Sequence, residues 1–479
     1  MPVKDYEIVI WLEIHIRIKS NTKMFCDCKN ALELAPEPNM HVCPICMWFP
    51  WMLPVVNKEV VRLWVIWGMM MKCEVNKLSR FDRKTYFYPD NPLSYQITQM
   101  YEPIVWKWLV KVLVEWIERE FAIHHMHLEN DAWKLIHAWW KTLADYNRAW
   151  SPLMEIVTEP VFKNKDEVME FLKELQKMFR ASGVSDADME KWQLRCDVNI
   201  SLRPHGQKEF GTRTETKNVN SFSAIWRVID HETKRQAKIL DEWKEVEQET
   251  RWWNDDTGSS KTQRSKEDAM DYRYFPEPDL LPIELDDDFI ENCRASLPEL
   301  PHTKRMRYLN DFKLWEDDAR ILSADKDLSD YFDELVENSW DPKKSCSYLN
   351  TVILALMKES EVESVSDIKI TPKNLWEILK MVNADELSSS NAKIVIEEIF
   401  NNGWDPKAIA EEKNLIQKND MWALEVIVDE VLANNTAQVE DYKAWNTNIF
   451  GFFVGQCMKV SKGSWNPKIF NELLKKKLD

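Results

Sequence analysis

Four cysteines in two close pairs, Cys26 with Cys28 and Cys43 with Cys46, form the strongest local pattern in this 479-residue chain. Thiolates spaced in this way supply the four ligands of a tetrahedral structural zinc site. His41 could take the place of one thiol. A closed site of this kind holds a loop and does no catalysis. Disulfide pairing is the competing use of the same residues, and a reducing compartment disfavours it. Cys73, Cys196, Cys293, Cys346 and Cys457 are scattered and read as small apolar residues.

A second pattern is alternating. In residues 6–19, Ile8, Ile10, Leu12, Ile14, Ile16 and Ile18 share one face of a strand, and Glu13, His15, Arg17 and Lys19 share the other. Residues 194–203 repeat the device with Arg195, Asp197 and Asn199 on the polar side. Residues 213–217 place Arg213, Glu215 and Lys217 together, and residues 125–129 do so for His125, His127 and Glu129. If these faces converge, several carboxylates with a histidine and few cations suit a hard divalent ion, Mg2+ or Mn2+. The alternative is the solvated outer face of an antiparallel sheet, which is usually polar. His124 and His125 are adjacent, so on a regular strand they face opposite ways. Gly258-Ser-Ser-Lys261-Thr262 has the end of a phosphate loop without its leading glycine, and reads as a surface turn.

The elements that must position these groups follow from periodicity. Helical patterns at residues 165–180 and 224–244 lie among the strands, so roughly the first 290 residues read as an α+β domain whose sheet has one strongly polar face. Two prolines in residues 296–305 mark a break. From Lys304 onward the period is almost wholly helical, with caps at Thr371-Pro372 and Ser388-Ser389-Ser390. A second break falls at residues 401–412. The expected organisation is therefore an N-terminal mixed-sheet domain (1–294) carrying the zinc loop, an all-helical domain (295–400) and a small helical tail (401–479). A length of 479 residues agrees with two or three domains.

A formal charge of −17 argues against a generally basic nucleic-acid-binding surface, although a local patch remains open. One such patch is the last 21 residues, where six lysines face Glu472 and Asp479. No secretory signal precedes the first strand pattern. The longest apolar run, residues 63–71, is far shorter than the ~20 residues of a membrane span. The expectation is a cytoplasmic protein with no membrane partner.

Twenty-four tryptophans stand against nine glycines, where average usage gives roughly 34 glycines in a chain of this length. Trp48, Trp51, the Trp139-Trp140 pair and Trp150 occupy turn-like contexts. There a residue without Cβ takes φ > 0 freely and an indole is strained. The chain reads as one in which tryptophan stands at many glycine positions. The competing reading is a protein rich in aromatic anchors, for binding or for a large core.

Longer motifs add a resemblance. WLEIHIRI (11–18), FDRKTYFYPDNPLSYQITQ (81–99), DYNRAWSPLMEIVTEP (145–160), CDVNISLRP (196–204), DYRYFPEPDL (271–280) and GFFVGQCMKVSKGSWNP (451–467) follow in order along the chain. They resemble the B subunits of bacterial aspartyl/glutamyl-tRNA amidotransferases. The resemblance implies a cradle-like N-terminal domain and a tRNA-binding tail. It implies repair of Glu-tRNA(Gln), Asp-tRNA(Asn) or both, with ATP and Mg2+ used to phosphorylate the misattached carboxylate. Ammonia would come from an amidase-type A subunit, with a small C subunit completing a heterotrimer. It also places the reaction centre at Glu13, His15, Glu129 and Glu155, with Asp197, Glu215 and Lys217 nearby. Glu13, Glu129 and Glu155 are the expected metal ligands, and His15 ligates or shuttles a proton.

The chain departs from the family pattern in two ways. Asn130 stands where a second acidic residue is usual. Trp11, Trp133, Trp150, Trp192, Trp226 and Trp445 stand at aligned glycines, as UGA codons read as tryptophan would produce, whereas Trp253 matches a genuine tryptophan. Indoles at Trp11 and Trp133 are expected to crowd the site. A non-catalytic, zinc-containing tRNA-binding module on the same scaffold is the alternative function.

Overall fold

The computed structural model describes residues 6–30, 37–89, 91, 93–106, 108–114, 117–265, 272–362, 364–416, 421–443, 449–460 and 467–478. The chain forms two compact units, Met1–His302 and Thr303–Asp479. The architecture is α+β, with a mixed sheet in the first unit and helices throughout the second.

The sheet of the first unit is built around β1 (Tyr6–Arg17). Two short strands, β2 (Asp82–Thr85) and β3 (Tyr95–Thr98), belong to a separate small sheet. The main sheet continues with β4 (Trp108–Val114), β5 (Ile117–Asn130), β6 (Pro152–Thr158), β7 (Leu194–Pro204), β8 (Thr214–Lys217), β9 (Glu249–Asn254) and β10 (Ser259–Ser265). Its eight strands run in the order β10-β9-β8-β7-β1-β6-β5-β4. Every pair is antiparallel except β8 with β9. Ile10, Leu12, Ile14 and Ile16 of β1 have no exposed surface and enter one large core. That core also holds residues of α1 (Lys58–Met70), α2 (Lys165–Ser182) and α3 (Phe222–Asp241). Asn57, Asn164 and Ser221 cap these helices through side-chain oxygens that accept backbone N–H groups, satisfying donors left over in the first turn.

Two readings of the strands are tested by long-range pairing; one is corrected and the other narrowed. The β5–β6 register slips between Val157 and Thr158, whose partners are His125 and Ile123, so His124 is an extra residue in a bulge. The bulge removes the strict alternation. His124 and His125 accordingly bring ring nitrogens within 2.6 Å of each other and do not lie on opposite faces. Of residues 258–262, only Gly258 lies in the turn of the β9–β10 hairpin, with a left-handed φ of 58°; Ser259 to Thr262 pair with β9 as the start of β10, so the surface-turn reading holds for the glycine alone.

In the second unit, two apolar cores are distinct. Tyr308 to Ala410 supply the first and Leu424 to Leu478 the second. Helix Pro406–Glu412, which follows the break at Gly403, sends Ile409 and Ala410 into the first core. The expected caps are present: Thr371 makes a reciprocal capping box with Asn374, and Ser388 accepts from Asn391.

Among the described residues, six tryptophans hold left-handed backbone: Trp48, Trp51, Trp150, Trp192, Trp243 and Trp340, with φ from 53° to 71°. A bulky residue there is an outlier. Trp340 follows α4 (Lys326–Ser339) at the helix C-terminus, where glycine is the usual residue, and is 88% exposed. Trp139 and Trp140 form the two-residue link between paired strands Lys134–Ala138 and Lys141–Asp145 and are exposed. Trp253, in contrast, is buried and donates its indole N–H to Asp255 at 3.0 Å. The indole nitrogens of Trp48 and Trp150 are buried without a hydrogen-bond partner. Trp445 lies outside the described residues.

Candidate functional site

The polar face of the sheet is not a solvated outer surface. Pairing of β1 with β6 sets His15 opposite Glu155, and pairing of β6 with β5 sets Glu155 opposite His127. On the other side of β1, Glu13 faces Asp197 of β7. Glu215 and Lys217 come from β8, beside β7. Strands widely separated in sequence thus deliver their polar residues to one place, because cross-strand neighbours on one face stand only ~5 Å apart.

The ligand atoms fall into three overlapping triads, Glu13–His15–Glu155, His127–Glu129–Glu155 and Glu13–Asp197–Glu215, each within 4.8 Å. Glu155 and Glu13 are the shared members. His15 Nε2 lies 4.0 Å from Glu13, 3.7 Å from Glu129 and 3.9 Å from Glu155. His127 Nε2 lies 3.1 Å from Glu155 Oε2 and 3.5 Å from Glu129 Oε2, close enough for ion pairing but without hydrogen-bond alignment. Those two buried carboxylate oxygens have no donor, an arrangement that suits a cation with oxygen ligands.

Charge coupling tunes the cluster. Burial and the neighbouring Glu155 raise Glu13 to about 7. Burial disfavours charge on Glu155 as well, but His127 outweighs it and holds that carboxyl well below its usual range. Conversely, burial would lower His127, and Glu155 with Glu129 raise it to about 9. Lys217 bonds to Asp197 and lies 3.0 Å from Glu215, whose other oxygen accepts from Thr250 at 2.7 Å.

One cation has no counterpart among the alternating patterns. Lys84 of β2 is raised despite burial because Glu155 and Glu129 face it, and its ammonium sits 5.1 Å above the Tyr272 ring. Its strand is anchored by the fork of Arg83 on Glu277, with two contacts of 2.7 Å. Lys84, Tyr272 and Tyr274 fall within the motifs at 81–99 and 271–280, yet no periodicity points to them. His127 was visible on its strand face, but its place between two glutamates depends on pairing.

The expected crowding is resolved differently at each indole. Trp11 lies on the site face, with the Arg213 guanidinium 5.9 Å from its ring. Trp133 packs against Trp48 and Tyr146 and donates to the Pro89 carbonyl. Asn130 accepts from the Ile97 N–H at 2.8 Å and so pins the small sheet to β5.

The four loop cysteines also converge, with sulfurs within 4.8 Å of one another. Cys43 and Cys46 sulfurs are 3.9 Å apart, and all nine cysteines are free. Tetrahedral zinc–sulfur bonds of ~2.3 Å would separate neighbouring sulfurs by about 3.8 Å, so the set has the spacing of a zinc site. Lys23 is fully buried, 3.6 Å from Cys46 and 3.0 Å from the Tyr146 carbonyl. A hydrogen bond from Cys26 and the nearby Lys23 charge lower Cys46 to about 5. His41 is not in this group; its backbone N–H donates to Asn147 at 2.8 Å.

Among the described residues, no helix is long and apolar enough to cross a membrane. Residues 8–291 match the GatB/GatE catalytic domain family, and residues 330–478 match the GatB domain family. Three similar relatives are named as B subunits of aspartyl/glutamyl-tRNA(Asn/Gln) amidotransferase. That of Persephonella marina is 44% identical, over 99% of this chain and 100% of its own length. That of Caldicellulosiruptor bescii is 42% identical over 99% of each chain, and that of Brevibacillus brevis is 40% identical over all of both. This chain belongs to the family of tRNA amidotransferase B subunits, with the family's catalytic domain carrying the carboxylate–histidine cluster.

Proposed function

We propose that the chain is the transamidating subunit of an ATP-dependent amidotransferase acting on Glu-tRNA(Gln), Asp-tRNA(Asn) or both. A carboxylate is a poor electrophile, so the misattached side chain is first phosphorylated by ATP. Ammonia then displaces the phosphate to leave the amide. The A subunit of the heterotrimer releases that ammonia from glutamine, and the small C subunit holds the pair together.

The observation that carries this reading is the set of overlapping triads at Glu13, His15, His127, Glu129, Glu155, Asp197 and Glu215. Glu13, Glu129 and Glu155 would hold Mg2+ or Mn2+, with His15 as a fourth ligand or a proton carrier. Such an ion neutralises charge on the transferring phosphoryl group. His127 keeps Glu155 ionised, and Lys217 balances the Asp197–Glu215 pair. Lys84 adds a cation beside the carboxylates, in a position to attract an anionic substrate. Cys26, Cys28, Cys43 and Cys46 would hold structural zinc.

The test uses the assembled complex with Glu-tRNA(Gln), ATP and ammonium, and scores Gln-tRNA(Gln). Product that requires both ATP and ammonia is the expected result. Retention of the tRNA with no ATP-dependent product would establish the non-catalytic module instead. Glutamine as the sole nitrogen source tests the A subunit and not this chain.

A further inference from the structure

Lysine is almost never fully buried unless its charge is met, yet Lys23 has no exposed surface. Its backbone is held at both ends. The N–H donates to the Cys28 carbonyl at 2.9 Å, and the carbonyl accepts from the Asn57 side chain at 3.1 Å. The peptide group of Lys23 thereby closes the turn that carries the first cysteine pair, while its side chain crosses to the second. There the ammonium donates to Cys46 Sγ at 3.6 Å and to the Tyr146 carbonyl at 3.0 Å. Among the described residues, no carboxylate pairs with it.

A buried ammonium that faces only a neutral thiol and a carbonyl is an uncompensated charge, and such a charge is strongly destabilising. Facing thiolates, the same ammonium is compensated. The cysteine set has the opposite excess. Four thiolates carry twice the charge of one Zn2+, and burial makes the surplus costly. Cys26 and Cys46 are the buried members of the set. Cys46 takes a second donor as well, the backbone N–H of Cys43 at 3.2 Å. The Tyr146 carbonyl alone would not call for a cation, since a neutral donor serves a carbonyl equally.

We infer that Lys23 is the charge-balancing partner of the cysteine-bound zinc, and that its ammonium at Cys46 raises the affinity of the loop for the metal. The role rests on the zinc site proposed for this loop. Lys23 acts through Cys46 and is itself no ligand. Its surplus charge and that of the four thiolates offset each other only while the metal is bound, so the lysine ties the stability of the loop to zinc.

The experiment compares Lys23→Met, which keeps the length of the side chain without its charge, with the native full-length chain. Zinc affinity is measured by competition with a chelator, and denaturant unfolding is followed with and without zinc. K23M should bind zinc about ten- to a hundredfold more weakly, the usual loss for a partner that supports a metal ligand. Without zinc it should be at least as stable as the native chain, because an unpaired buried cation has gone. With zinc it should be the less stable of the two. In the cobalt-loaded chain, the sulfur-to-metal charge-transfer band should move to longer wavelength as Cys46 loses a donor. If K23M does not fold, K23Q, which keeps a hydrogen-bonding head but not the charge, should show the same loss of zinc affinity. Native zinc affinity in either folded variant would overturn the role of Lys23 alone, as would an equal loss of stability with and without zinc. A native chain that takes up no zinc would overturn the zinc site and this role together.

Discussion

The cysteine loop and the carboxylate–histidine face are both ligand sets, assembled in opposite ways. The thiols come from one short stretch, Cys26 to Cys46, and turns within that stretch bring them together. Backbone bonds around its second pair, Met47 N to Cys43 O and Trp48 N to Ile45 O, are local. The sheet face draws Glu13, Glu129, Glu155, Asp197 and Glu215 from five strands. Its geometry exists only when those strands pair in one register. A local set of like ligands suits structure. A distributed set with mixed charges, shared members and opposed pKa shifts suits chemistry.

The largest expected effect lies on the sheet face. Glu155→Gln removes the carboxylate common to two triads, and should lower ATP- and ammonia-dependent amidation by at least about a thousandfold. Zinc content and tRNA retention should not change. Transamidation at the native rate would break the distinction between the two regions.

On the cysteine side the expected loss is one of stability. Cys46→Ser should abolish stoichiometric zinc, read by metal analysis, and lower stability by several kcal/mol, on the order expected for a structural zinc site. The fraction that remains folded should still bind Mn2+ at the face. Loss of Mn2+ binding from folded protein would mean the two sites are coupled.

A pH titration sharpens the contrast further. Glu13 is raised to about 7, so protons compete with a cation for it below that pH. Mn2+ affinity at the face should rise by about tenfold from pH 6 to pH 8, since one proton must leave as the metal binds. A flat Mn2+ profile would remove Glu13 from the ligand set.

The smallest effect concerns backbone remote from both sites. Trp340→Gly replaces an exposed indole at φ 55° and sacrifices little packing. It should raise stability by about 1 kcal/mol in denaturant unfolding. Trp253→Gly should do the reverse, because that indole is buried and hydrogen bonded. Equal responses at the two positions would refute the reading that tryptophan stands at glycine positions. Codon inspection is a separate check: UGG at these sites would refute translation of UGA as the cause.

Sequence alone determined what is local or periodic. The thiol set was legible because its spacing is a property of one segment. The polar faces of β1, β5, β7 and β8 were legible because alternation has period two. The caps at Thr371 and Ser388 were legible because capping needs only neighbouring residues. Glu155 had no such signal within LMEIV, where apolar residues surround it, and entered only through resemblance. Tertiary structure alone decided that Glu155 stands between His15 and His127, that a bulge turns His124 toward His125, and that Lys84 faces the carboxylates. The reason is physical: register between strands far apart in sequence is set by the whole buried face at once, and a slip of one residue would send each of these side chains to the other side.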